Sequence, residues 1–272
     1  MMRFRTVLIC HHDAPLHIEG VARWMASWSD LCGIVVIEEP AGLFWKRVRR
    51  ERSRVGVFRL FDVLAFRLWY RLRWAARDAA WRETRLHDLQ TRYPQLTAEV
   101  PILRVPSPNV AEAQRFIEVA RPTLVLALCK NILAERVFSV PTHGTFVLHP
   151  GICPEYRNAH GCFWALAQGD LEHVGMTMLR IDRGIDTGPV FGYFRAAYDE
   201  QSESHIVIQH RMTLDNLDAI AATFQAIVAG HASTVPTAGR TSHVWGQPWL
   251  TAYLRWRRAA RRRGATGADR RT

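Results

Sequence analysis

Four short, unbroken apolar runs constrain this chain most: "RTVLIC" (5–10), "GIVVI" within "LCGIVVIEEP" (31–40), "TLVLALC" (123–129) and "GTFVLH" (144–149). A strand with one wet face alternates apolar and polar residues. A continuous run bounded by turn signals instead reads as a strand buried on both faces. Between the first two runs, Ile18, Val21, Ala22, Met25 and Trp28 recur at helical spacing. The chain therefore opens β-α-β, the start of a parallel sheet with right-handed crossovers.

The same reading continues beyond the opening. "EVPILRVPSPN" resumes the sheet, and "VAEAQRFIEVARP" follows as a helix with Asn109 placed as its cap. "KNILAERVFSVP" suits a short helix stopped by Pro141. "AHGCFWALAQGD" suits another, with Phe163, Leu166 and Ala167 on one face and Gly169 at the C-cap. "VGMTMLRID" and "TGPVFGYFRAAY" read as two strands joined by "RGID". Residues 202–230 read as one helix capped by Ser202 or Ser204. The expected architecture is α/β and Rossmann-like: a mostly parallel sheet flanked by helices over 1–230, followed by a basic extension over 231–272 that is partly disordered.

One segment interrupts the pattern. Residues 43–92 are arginine-rich with large apolar residues between, and read as a basic helical insertion. Phe58, Phe61, Leu64, Ala65 and Leu68 recur at helical intervals, while Arg47, Arg50, Arg54, Arg67, Arg71 and Arg77 fill other positions. Two readings stay open. The helices either pack their apolar stripe on the body and expose arginine, or rest on an anionic membrane or a polyanion. Aromatics at helical spacing usually mean core, which favours packing. Charge matters here, because the formal net charge is +11 and the sequence pI is about 10.2, a balance that suits anionic partners.

The five cysteines are scattered without CxxC spacing, which fits a reducing compartment. Cys153, Cys162 and nearby histidines match no closed zinc set, so no metal is expected. No apolar run reaches membrane-span length, and "RTVLIC" is followed too soon by His11, His12 and Asp13 to be a signal peptide. A cytoplasmic protein is the expectation.

The run Val125–Phe194 resembles the catalytic half of the formyltransferases that use 10-formyltetrahydrofolate, among them methionyl-tRNA formyltransferase, glycinamide ribonucleotide transformylase and the sugar N-formyltransferases. The resemblance rests on four motifs in register: "HPGICPEYR" (149–157), "FWALAQGD" (163–170), "VGMTMLRID" (174–182) and "GIDTGPV" (184–190). It implies transfer of a formyl group from 10-formyltetrahydrofolate to an amine through a tetrahedral intermediate. Such a step needs donors aimed at an oxyanion and a group to take the amine's proton. By the resemblance, His149 fills that role and Asp186 is its carboxylate partner. A strand-end histidine satisfied by a backbone carbonyl is the bland alternative. The resemblance also places folate against Leu128, Cys129, Lys130, Asn131, Ile132 and Leu133, and against Asp182, Gly184 and Ile185. Convergence of His149 and Asp186 is expected at the carboxyl ends of neighbouring strands.

One position departs from the family. The superfamily has asparagine two residues before the histidine, and this chain has Val147. A donor to the formyl oxygen is missing. Another residue takes over (Asn158 first, or Asn131 or His160), or the bound folate is hydrolysed, or the protein binds folate without turnover. The first account is preferred, although Asn158 also suits a cap for the helix after it. Amine recognition falls to His11, His12 and Asp13 of the first loop, with Arg157 and His160. A small-molecule amine is the expected acceptor. Residues 231–272 are too few for the β-rich domain of the methionyl-tRNA enzymes, which argues against initiator tRNA.

Overall fold

The computed structural model describes residues 4–40, 42–94 and 100–269. Strand β1 (Arg5–His11) leads into a π-helical turn, Leu16–Val21, and helix α1 (Ala22–Trp28), then β2 (Asp30–Ile37). Helices α2 (Leu43–Arg73) and α3 (Ala75–Arg92) form the insertion. Alternation of strand and helix then resumes: β3 (Ile102–Val105), α4 (Ala111–Ala120), β4 (Leu124–Leu128), α5 (Glu135–Phe138) and β5 (Thr145–His149). Next come the two-residue strand β6 (Arg157–Asn158), α6 (Gly161–Gln168), β7 (Met176–Arg180) and β8 (Val190–Phe194). The chain closes with α7 (His205–Leu214), α8 (Leu217–Val228), β9 (Val244–Trp245) and α9 (Leu250–Asp269).

The main sheet has the order β3-β2-β1-β4-β5-β7-β8. Its first five strands are parallel, while β7 and β8 pair antiparallel. The apolar runs are buried on both faces, as expected. Along β1, Leu8 and Cys10 pack on the side of α1 and α6–α9, while Val7 and Ile9 pack on the side of α4 and α5. This period of two gives β5 its polarity. Phe146 and Leu148 enter the larger core, and Val147 turns the other way against Cys153, Leu179 and Val190. His149, two residues on, shares the face of Val147.

Several local expectations are corrected. Asn109 does not cap α4, whose N-cap residue is Val110 without a side-chain bond. Its amide instead clamps the loop after β4: Nδ2 donates to the Ile132 carbonyl at 2.8 Å, and Oδ1 accepts from the Ala134 amide at 2.7 Å. Helix α6 is buried on every side from Gly161 to Leu166, so it has no single apolar face. The long helix over 202–230 breaks at Asp215–Asn216, where Asn216 Nδ2 donates to the Arg195 and Met212 carbonyls. Its start is as expected, because Ser204 Oγ accepts from the Ile206 and Val207 amides. Gly169 is the left-handed C-cap of α6, with φ +74°. Residues 250–269 form the helix α9, with Trp256 and Ala260 buried along it.

The insertion is helical, but its buried face is not the expected one. Gly56, with φ +79° and ψ 171°, breaks α2 into two pieces. In the second piece Val63 and Phe66 point inward, Phe66 meeting Phe163, His205 and Tyr253 at ring separations of 5.6, 5.4 and 5.5 Å. Phe58, Phe61 and Leu68 point outward, at 93%, 66% and 59% exposure. Arg47, Arg50 and Arg54 lie outside the residues whose side chains are described. Two polar anchors fix the insertion. The buried Asp78 carboxylate accepts from Tyr70 and Ser204, both at 2.6 Å, joining α2, α3 and the cap of α7. Trp74 Nε1 donates to the Tyr253 hydroxyl at 2.7 Å, joining the α2–α3 corner to α9.

Candidate active site

The site is built where β5 ends. His149 is 3% exposed, and its ring nitrogens face two different acceptors. Nε2 donates to the Tyr156 carbonyl at 2.7 Å, and Nδ1 lies 3.3 Å from Asp186 Oδ2. Both alternatives raised by the sequence are thus present together: the backbone carbonyl and the carboxylate.

Asp186 reaches His149 by a route the sequence did not suggest. Strand β7 is antiparallel to β5, so its Arg180 end lies beside Phe146 and its Thr177 beside His149. The loop over 181–189 leaves from the far end of β7 and must travel back along the sheet. The two residues therefore do not sit on the carboxyl ends of parallel neighbours. Asp186 takes φ +51°, a left-handed conformation that costs a non-glycine residue energy. Its carboxylate also accepts from the Asn158 amide at 2.7 Å. One oxygen thus joins the strand-end histidine to the loop that follows it.

That loop is folded tightly. Gly151 has φ +153°, and a Cβ there would lie 2.7 Å from Gly161 Cα and 2.8 Å from the Tyr156 carbonyl oxygen. Only glycine permits this approach. A strap from the C-terminal extension holds the loop from outside, and nothing in the motifs announced it. Arg240 grips Glu155 through two bonds, at 2.9 and 2.7 Å, and Trp245 Nε1 donates to the Glu155 carbonyl at 2.9 Å. Trp245 stacks on Tyr156 and Trp164, with centroids 5.6 and 4.8 Å away. Asn158 does not cap α6. One hydrogen of its side-chain amide goes to the Trp245 carbonyl. The sequence hint of this strap is its pair of tryptophans, Trp245 and Trp249, within five residues.

The remaining expected residues fall into two groups. In the first, His11 Nε2 accepts from the Lys130 amide at 3.1 Å, joining the first loop to the end of β4. His12 is turned to the Ile37 carbonyl at 3.3 Å, and Asp13 is exposed. His160 follows the tight loop with φ +56°; burial first, then the charges of Lys130 and Arg67, push it down to about 4. His160 Nδ1 and Asn131 Oδ1 are buried without a hydrogen-bond partner. Orphaned buried polar atoms in a native fold point to an absent ligand or water.

The second group is the pair of expected folate segments. Asp182 Oδ1 accepts from the Gly184 amide and the Thr187 hydroxyl, which shapes the turn. Arg183 pairs with Glu135 at 2.8 Å, tying this turn to α5, directly after the 128–133 segment. Arg157 Nη1 donates to the Ile185 carbonyl at 3.1 Å. Ile132 and Ile185, one on each segment, are exposed, whereas Leu133 is buried beneath them in the α4–α5 core.

Fold and site together define an α/β protein with a buried histidine–aspartate pair at a strand end. Residues 83–212 match the family model described as "Formyl transferase", so this segment of the chain is similar to that family. Methionyl-tRNA formyltransferase of Myxococcus xanthus is 35% identical over 114 residues, 40% of this chain and 36% of that protein. The chain spans about a third of the length of the curated relatives it matches. Two solved structures share the fold. A phosphoribosylglycinamide formyltransferase from Anaplasma phagocytophilum superposes with a TM-score of 0.54 at 12% identity, over 90% of this chain and all of the other. A sugar N-formyltransferase from Shewanella gives 0.52 at 13% identity, over 89% of this chain and 76% of the other.

Proposed function

We propose that this protein transfers a formyl group from 10-formyltetrahydrofolate to the amine of a small-molecule acceptor. The observation that carries this reading is the contact of His149 with Asp186 inside the family-matched segment. The attacking amine adds to the formyl carbon, the carbonyl oxygen becomes an oxyanion, and the amine's proton must leave. The His149 ring donates to the oxyanion once Nε2 turns from the Tyr156 carbonyl, and the Asp186 carboxylate takes the amine's proton, through water where the reach is long. The segments 128–133 and 182–185, with Ile132 and Ile185 exposed, suit the flat apolar face of a pterin.

With Val147 in an apolar cluster, the second oxyanion donor must come from another segment. Asn158 retains one amide hydrogen after bonding Trp245, and His160 Nδ1 is buried without a partner, whereas the unpartnered atom of Asn131 is its oxygen, which can only accept. The acceptor then meets the side of His11, His12, Asp13, Arg157 and His160. The five free thiols suit a reducing cytoplasm. A second reading is favoured by the ties that bind His149 Nε2 and the Asn158 amide to carbonyls: a folate-binding protein without turnover.

The test is to incubate the purified chain with 10-formyltetrahydrofolate and a panel of amines, nucleotide-linked amino sugars included. Release of tetrahydrofolate that depends on an amine supports the transferase. Release of formate without any amine identifies a hydrolase. Folate binding without either product supports the second reading and sinks the first.

A further inference from the structure

The second piece of α2 is apolar on two opposite faces. Its inner face holds Val63 and Phe66, with Tyr70 half-buried beside them. At 100° per residue, Phe58, Phe61, Ala65, Leu68 and Leu72 fall on the far side in one stripe, and Phe58 and Leu72 are 93% and 77% exposed. Residues 57–73 make a helix about 25 Å long. An apolar stripe of that length left in water marks an interaction surface.

The flanks say what covers it. Arg67 and Arg71 border the stripe on one side and Arg73 on the other, all exposed. Among the described residues none of the three takes part in an ion pair. The one carboxylate on this piece, Asp62, is held by the Thr251 amide and hydroxyl and by Arg59. Helix α9, packed alongside through Tyr253 and Thr251, exposes Leu254, Arg255, Arg258 and Arg261 and carries no acid before Asp269. A second copy seated on this stripe would set arginine against arginine with no carboxylate between. An anionic lipid surface matches both parts: acyl chains for the stripe and phosphates for the flanks.

We propose that α2 is an interfacial helix that seats the protein on an anionic membrane surface, with Phe58, Phe61, Leu68 and Leu72 toward the acyl region. Among the described residues no helix is long and apolar enough to cross a membrane, so the contact is peripheral. The surface adjoins the site: Phe66, on the inner face of the same helix, packs on Phe163 of α6, and Arg67 acts electrostatically on His160. Docking therefore brings the His160 side of the site toward the lipid, whatever reaction occurs there; the proposal does not depend on formyl transfer.

Vesicle co-sedimentation of the full chain tests it, using phosphatidylcholine alone and phosphatidylcholine mixed with phosphatidylglycerol. Binding is expected to the mixed vesicles only, and to weaken as salt is added. The triple variant Phe58→Ser, Phe61→Ser, Leu72→Ser should bind about tenfold or more weakly. The pair Arg71→Gln, Arg73→Gln should lose about 30-fold. Both variants should keep the wild-type circular dichroism and Tm, since these side chains are exposed. Equal binding to both vesicle types, no binding, or variants that bind as wild type would each overturn the proposal. A dimer in light scattering that the triple variant dissolves would overturn it too, assigning the stripe to a second copy.

Discussion

Helix α6 and the second piece of α2 are both rich in apolar residues, yet they use them in opposite ways. In α6, every side chain from Cys162 to Leu166 is buried, between the sheet, α9 and the strap. In α2, the inner face is covered by α6, α7 and α9, and the outer face by nothing among the described residues. Helical periodicity reports that a stripe exists. It does not report which stripe faces the body when a helix carries two. A helix wedged into the middle of a fold is covered all round, whereas an insertion laid on the outside has one partner and one free side.

The largest expected effect tests the α6 side of this comparison. Replacing Asp186 by Asn removes the charge beside His149 and should lower turnover about 1000-fold, followed as tetrahydrofolate release. Folate affinity should change far less, by equilibrium binding. Wild-type turnover in that variant would reduce Asp186 to a turn residue.

The inner face of α2 comes next. Phe66→Ala should cost about 3–4 kcal/mol of stability by denaturant unfolding, because the ring is 5% exposed and meets three aromatic neighbours. A loss below about 1 kcal/mol would mean that the insertion is not packed as described.

Asn158 discriminates between a donor and a clip. Asn158→Gly suits the backbone at φ +78° while deleting the amide. Turnover should fall about 100-fold, and Val147→Asn in that background should restore part of it. Unchanged turnover with a lower Tm would leave Asn158 as the anchor of the strap alone.

Three half-buried histidines set a graded effect. Burial pushes His17 and His160 down to about 4, and His210 to about 3. The unfolded chain binds these protons near 6.5, so it takes up more than the folded one as pH falls from there toward 4. Stability should therefore decline over that window, by up to about 1.4 kcal/mol per pH unit for each histidine. A Tm flat between pH 6.5 and 4.5 would contradict their burial.

The outer stripe should show the smallest effect. Phe58→Ser should change stability by less than about 0.5 kcal/mol. Set beside Phe66→Ala, it measures the two faces of one helix. A loss as large as that of Phe66 would show that the outer face is covered.

Much of this protein was written in local order along the chain. The unbroken apolar runs specified buried strands, since only a strand covered on both faces can use apolar residues consecutively. Ser204 and Gly169 marked helix ends through chemistry that acts within three or four residues. His149 and Asp186 were legible because four motifs kept their spacing. Tertiary structure alone decided the rest, because each of those features depends on chain distant in sequence. Asn109 serves the 132–134 loop and not its own helix, since a carbonyl and an amide from that loop arrive within reach. The strap over 240–249 bonds residues about 85 positions earlier, a separation that no local pattern encodes. Asp186 meets His149 only because the loop over 181–189 folds back along the sheet from the far end of β7. The free face of α2 was likewise undecided by its own residues: a stripe of Phe and Leu becomes core or surface according to which partner the rest of the chain supplies.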